Sequence, residues 1–249
     1  MEAVLYIGHG SRVKAGVQEA IEFIEKAKKS IDVPIQEICF LELADPDIRT
    51  GVERCVKRGA TTISIVPILL LTAVHAKFDI PEAIEEVKKA FPSIYFKYGR
   101  PFGVHEKINA ALLDRVLEKV PSPKQDAAVL LIGRGSSDPD VKRDLTNVAK
   151  SLESLHTFQC VETCFMYGAT PHFEEGLEHM LKTQHKQIFV IPYLLFQGIL
   201  MNEISERIEC IEDEEKEVIL CDSLGYHINL VDVLKERTIE LVESSLMIG

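Results

Sequence analysis

The chain has 249 residues, 46% of them hydrophobic, enough to fill a core in each of two domains of ordinary size. Its formal net charge of −11 argues against a nucleic-acid partner, which would need a cationic face. No apolar run reaches membrane-spanning length; the longest, Ile63 to Val74, contains Ser64, Pro67 and Thr72, so no membrane association is expected.

The N-terminus enters a strand-like run at once, without the basic segment of a secretory signal, and a cytoplasmic location is expected. The six cysteines, Cys39, Cys55, Cys160, Cys164, Cys210 and Cys221, form no CxxC pair. They read as buried reduced thiols rather than a metal site.

Strand and helix patterns alternate along the first half. Ala3–Ile7 is a short apolar strand, and Val17, Ala20, Ile21, Ile24 and Ala27 recur at helical spacing up to about Ser30. Ile35–Phe40 is the second strand. Pro46 suits a helix start, with Gly59 as the stop. Ile63–Leu70 is a nearly continuous apolar run, as expected for a strand covered on both faces. A helix follows from Pro81 to about Phe91, then a strand over Ile94–Tyr98 and a helix from His105 to about Lys119. Pro121-Ser122-Pro123-Lys124-Gln125 reads as a linker. Strands near 127–132, 160–166, 187–195 and 217–221 follow, with helices between them and a last helix to about Leu246.

The second half repeats the first. Adding 125 to the residue number carries Val4-Leu5-Tyr6-Ile7-Gly8-His9-Gly10-Ser11 onto Val129-Leu130-Leu131-Ile132-Gly133-Arg134-Gly135-Ser136. The same shift carries Phe40 onto Phe165, Pro46 onto Pro171, Gly51 onto Gly176, Pro67 onto Pro192 and His75 onto Leu200. The expected architecture is therefore α/β: two flavodoxin-like lobes with parallel sheets, 1–122 and 126–249, related by internal duplication, with strand order 2-1-3-4 in each. The duplication supplies a pseudo-dimer within one chain, so a monomer is expected.

Ligands in such folds sit beyond the carboxyl ends of the strands, where the strand order switches. His9 follows the first strand, Glu42 the second and His75 the third, all on one edge of the first sheet. The second half has Arg134 and Leu200 in place of the two histidines, and Tyr167 in place of Glu42. Two facing imidazoles can hold a divalent transition metal and leave coordination positions open, which suits an ion that must be handed on. Glu42 can accept a proton or act as an occasional third ligand. A single histidine after a strand is more simply a hydrogen-bonded spacer; a pair on one edge, absent from the copy, points to chemistry. Gly8 and Gly10 would let the chain turn and leave room beside His9, and their counterparts Gly133 and Gly135 make that role structural.

Other motifs fail. Gly8-His9-Gly10-Ser11-Arg12-Val13 lacks the third glycine of a dinucleotide fingerprint, and there is no GxxxxGK[ST] or GxSxG. His105 and His227 each sit two residues after a glycine and before a helix, in both halves, so a helix-start role is expected. His156, His172, His179 and His185 show no ligand pairing, and Glu212 to Glu217 reads as a solvated turn.

Gly8-His9-Gly10-Ser11-Arg12, Glu42 within Leu41-Glu42-Leu43-Ala44, and Pro67-Ile68-Leu69-Leu70 leading to His75 resemble the class II tetrapyrrole chelatases, over essentially the whole chain. The resemblance implies that His9 and His75 are the metal-binding and catalytic pair, with Glu42 assisting. It implies insertion of Fe2+ into sirohydrochlorin with release of two pyrrole protons, and no cofactor beyond the substrate metal, for which Co2+ or Ni2+ could substitute. Cobalt-specific members with histidine-rich tails and cluster cysteines differ from this chain, which favours iron. The macrocycle is expected in a cleft between the lobes, its carboxylates met by Ser11, Arg12, Arg134, Ser136 and Ser137, with Lys77 nearby. Cobalt or nickel insertion, and a non-catalytic tetrapyrrole or metal carrier, are the alternatives. Imidazole ligands must be neutral, so metal insertion is expected to fall off below about pH 6.5. A pH–rate profile checks this; a rate flat to much lower pH would contradict imidazole ligation.

Overall fold

No residue of the apolar run Ala3–Ile7 is exposed, because it is an inner strand of a parallel sheet covered on both faces. The computed structural model describes residues 1–155, 158–196, 198–213, 215–225 and 227–244. His156 and the chain beyond 244, including Leu246, lie outside the described residues.

In the first half, β1 (Glu2–Gly8), β2 (Ile35–Phe40), β3 (Thr62–Ile68) and β4 (Tyr95–Tyr98) form a parallel sheet in the order β2-β1-β3-β4. In the second, β5 (Ala128–Gly133), β6 (Cys160–Phe165), β7 (Gln187–Tyr193) and β8 (Glu217–Leu220) repeat it as β6-β5-β7-β8. Both are the order expected from sequence. The helices are α1 (Lys14–Lys28), α2 (Ile48–Lys57), α3 (Ile80–Ala90), α4 (Glu106–Lys119), α5 (Pro139–Leu155), α6 (Phe173–Lys182), α7 (Ile199–Glu209) and α8 (Ile228–Glu243).

Local chemistry sets the helix ends. Pro46 does not open α2; it precedes the N-cap Asp47, whose carboxylate accepts the Thr50 N–H at 2.8 Å. His105 Nδ1 accepts the Lys107 N–H at 3.2 Å, and His227 Nδ1 the Asn229 N–H at 3.3 Å, so both histidines hold helix starts. Cys39, Cys55, Cys164 and Cys221 are buried; burial pushes the Cys55, Cys164 and Cys221 thiols up to about 12, which keeps them protonated and inert. Cys160 is only half-buried and Cys210 is exposed, contrary to the expectation of six buried thiols. Within the acidic run, Glu217 is the first residue of β8 and meets Lys124 and Gln187 at 3.0 Å each, so the run is not wholly a solvated turn.

The compact units do not coincide with the repeat halves 1–122 and 126–249. One unit comprises Met1–Gly103 with Val231–Gly249, the other Val104–Leu230. In the first, the buried Arg237 of α8 donates to the carbonyls of Pro101 and Phe102, and Lys97 Nζ donates to Val242 O at 2.9 Å. In the second, α4 packs against α5, and Arg115 Nη2 donates to Leu224 O at 2.9 Å. Each half therefore lends its last helix to the unit built on the other half's sheet. An amphipathic pattern dictates that a helix buries one face, but not which sheet receives it.

The strand ladder continues past the sheet edge in both units. Leu41 N–H donates to Gly8 O at 2.8 Å and Glu42 N–H to His9 O at 3.1 Å; Met166 and Tyr167 repeat these bonds to Gly133 and Arg134 at 3.0 Å each. Gly10 has φ +93°, and a Cβ there would lie 1.8 Å from the Glu42 carbonyl oxygen; at Gly135, with φ +86°, the same contact would be made with Tyr167. These glycines make room for the neighbouring loop's backbone rather than for the histidine. Gly135→Ala is expected to destabilise the protein by about 3 kcal/mol, read from the denaturant midpoint. An unchanged midpoint would contradict this close approach.

Candidate metal centre

Strand register explains why three distant residues meet. Gly8, the last residue of β1, pairs with Phe40 at the end of β2 and with Ile68 at the end of β3. Whatever follows these strands emerges at one edge, next to the switch in strand order between β1 and β3. His9 follows β1 directly. The continued ladder places Glu42 beside it. His75 arrives on the longer connection after β3.

The three donors lie within 4.8 Å of one another. His9 Nε2 is 3.1 Å from His75 Nε2 and 3.4 Å from Glu42 Oε1. The rings meet edge to face, with centroids 4.6 Å apart and planes at 85°. The side chains of His9, His75 and Glu42 are 28%, 25% and 50% exposed, so the group is open to solvent on one side.

Hydrogen bonds define the tautomers. His9 Nδ1 lies 3.2 Å from Gly10 O, and a carbonyl only accepts, so Nδ1 carries the hydrogen. His75 Nδ1 donates to the Asp79 carboxylate at 2.5 Å. With both Nδ1 atoms donating, both Nε2 atoms are left as acceptors, and a cation shared between them would be held by both rings. Two bonds of about 2.1 Å to nitrogens this far apart subtend about 95°, close to a right angle. Two histidines and one carboxylate with open positions opposite are a donor set suited to ferrous iron.

Asp79 is absent from the sequence-derived candidates. A π-helical turn, His75–Asp79, precedes α3, and Ile80 N–H bonds back to His75 O. Pro81 has no N–H to give Lys77, which disfavours an α-helical turn there. The wider turn sets His75 and Asp79 on one face. Such turns recur at functional sites. The readable signal is a histidine and a carboxylate four residues apart, but the expected helix start at Pro81 hid it.

The equivalence of His75 with Leu200 holds in the structure. β3 and β7 end at Ile68 and Tyr193, helical turns begin at Val74 and Ile199, and the Lys77 N–H to Ala73 O bond recurs as Asn202 N–H to Gly198 O. The 125-residue shift therefore runs through both helix starts, and His75 stands where the second half has Leu200. The Arg134 and Tyr167 equivalences stand, carried by the ladder described above.

Of the substrate candidates, Ser11 Oγ accepts the Val13 N–H at 3.0 Å and Ser136 Oγ the Asp138 N–H at 3.1 Å, so both serines brace their turns. Arg12, Arg134 and Ser137 are exposed. Arg134, Ser136 and Ser137 belong to the second unit. His179 pairs with Glu162 at 3.3 Å, and His185 with Cys160 at 3.5 Å. Among the described residues, His9, Glu42 and His75 are the one group of three with metal-ligand spacing.

Fold and site together define a duplicated α/β protein that presents, in its first half, an open cluster of three side chains able to hold a metal ion. The chain belongs to the CbiX family, whose model matches it twice, over residues 3–119 and 128–241. It is 51% identical over 244 residues, 98% of its length, to a sirohydrochlorin ferrochelatase of Priestia megaterium, covering 92% of that protein. It is 39% identical to a sirohydrochlorin cobaltochelatase of the same organism, over 98% of this chain and 81% of that protein. The solved structure of SirB from Bacillus subtilis with Fe3+ matches at TM-score 0.91 and 44% identity, covering 98% of this chain and 96% of that one.

Removing the Asp79 carboxylate is expected to free the His75 ring. Asp79→Ala should weaken Co2+ binding by about 10- to 100-fold in a titration of cobalt absorption, while Asp79→Asn, whose amide oxygen still accepts, retains most of it. Wild-type affinity in Asp79→Ala would contradict the orienting role.

Proposed function

We propose that this chain inserts Fe2+ into sirohydrochlorin, giving siroheme and two protons, at His9, His75 and Glu42. The facing of two Nε2 atoms at 3.1 Å, beside a carboxylate, carries this reading. The family and the close similarity to a sirohydrochlorin ferrochelatase support it.

The geometry suggests a sequence of steps. The imidazoles and Glu42 take the ion on one side and leave the opposite positions for the macrocycle nitrogens. The metal draws electron density from each pyrrole nitrogen it meets and so acidifies its N–H. As the ion passes to the four ring nitrogens, the two N–H protons leave and the bonds to the protein are given up. Glu42, half-exposed, receives a proton and passes it to solvent. Weak ligation is an advantage, since a tightly held ion would stay on the protein. The net charge of −11 favours cations, so the substrate's carboxylates require local cationic groups. Arg12 and Arg134 are proposed for that role, with the hydroxyls of Ser11, Ser136 and Ser137 as hydrogen-bond donors beside them.

The same reading includes no nucleotide or redox cofactor, a monomer and a cytoplasmic location. No helix among the described residues is long and apolar enough to cross a membrane. Cobalt insertion is the second reading, favoured by the similarity to a cobaltochelatase and by ligands that fit both ions. Nickel insertion and a non-catalytic carrier have no observation of their own in favour.

The double variant His9→Ala, His75→Ala is expected to fold normally, bind sirohydrochlorin and lose metallation by at least about 1,000-fold, as for other residues that act as a unit. Anaerobic insertion rates with Fe2+, Co2+ and Ni2+ then rank the metals. Retained insertion in the double variant would contradict the site, and a rate far higher with cobalt would contradict the metal.

A further inference from the structure

Leu43 is the one non-glycine residue with positive φ among the described residues, at +62°. Leucine is disfavoured there because its Cβ crowds the backbone. Strain of this kind persists where something else requires it. Burial does not offset it, since Leu43 is 48% exposed.

The duplication supplies an internal control. Leu43 corresponds to Gly168 without a gap: the flanking strands β2 and β6, the bridges Phe40–Asp47 and Phe165–His172, and the helices α2 and α6 all keep the 125-residue shift. Gly168 has φ +66°, so the two loops share one backbone conformation. The second copy fills it with the residue that suits it. A Cβ at Gly168 would come within 2.9 Å of the Ser136 backbone, so that copy is closed to side chains. The first copy instead holds a leucine side chain out into solvent, directly after Glu42. Phe78, 56% exposed, follows His75 by three positions on the π-helical turn. Two exposed apolar side chains thus accompany two of the three metal donors, while the copy lacking those donors has glycine.

We propose that Leu43, together with Phe78, is an apolar contact for the ring face of the macrocycle and a specificity-determining residue for its docking over the metal donors. This rests on the function proposed above. A conjugated macrocycle is apolar on its faces and charged at its rim. Cationic groups can hold the rim, but the face gains by leaving water against aliphatic and aromatic carbon. The left-handed backbone at residue 43 keeps the leucine presented rather than folded into the core.

The test compares Leu43→Gly, which relieves the backbone, with Leu43→Ala, which removes the side chain and keeps a Cβ. Metal-free sirohydrochlorin binding is followed by its absorbance, Co2+ binding by cobalt absorption, and stability by thermal midpoint. Both variants are expected to bind the macrocycle about tenfold more weakly, with a matching rise in KM and kcat nearly unchanged. Co2+ affinity should stay at the wild-type value, and the glycine variant should melt above the alanine variant. Phe78→Ala should weaken macrocycle binding in the same sense. Wild-type macrocycle affinity in Leu43→Gly would overturn the inference alone. A parallel loss of Co2+ affinity would also overturn it, by making Leu43 a support for Glu42. A wild-type protein that does not bind sirohydrochlorin would overturn the proposed function itself.

Discussion

Two nitrogen lone pairs pointed at each other across 3.1 Å are the interaction on which this protein turns. Each ring is committed to that orientation by a hydrogen bond on its other nitrogen, one to a backbone carbonyl and one to the Asp79 carboxylate. With both Nδ1 hydrogens so committed, both Nε2 atoms are left as acceptors, and a cation placed between them would be ligated by both rings.

The scaffold serves that contact through register. Because β1, β2 and β3 end level with one another, three loops leave the sheet side by side. The glycine after His9 admits the Glu42 backbone at a distance no other residue would permit. The second unit retains the same ladder and glycine without the donors, so the frame is structural and the chemistry was added to, or kept in, one copy. His75 stands where the second half has Leu200, at a helix start that both copies keep. The three donors are therefore substitutions on a frame that both copies share.

Much of this was legible in the sequence. Continuous apolar runs at Ala3–Ile7 and Ile63–Leu70 identify inner parallel strands, and the repeat makes the strand order of one half that of the other. His9 and Glu42 stand out because Arg134 and Tyr167 replace them at fixed register. Asp79 was hidden because Pro81 resembles a helix start, whereas the chain already turns in a π register before it. Leu43 was hidden because a backbone angle leaves no trace in composition; only Gly168 in the copy hints at it. The placement of α4 and α8 was not legible either, since periodicity records a buried face and not its partner.

The most direct measurement is a crystal structure of the protein soaked with Co2+, with the ion located by its anomalous scattering. The expected result is one ion bonded to Nε2 of both His9 and His75 at about 2.1 Å, subtending about 95°, with Glu42 as a third donor or one water away. An ion bound through only one of these rings, through Nδ1, or at another place in the molecule would contradict the paired-imidazole site.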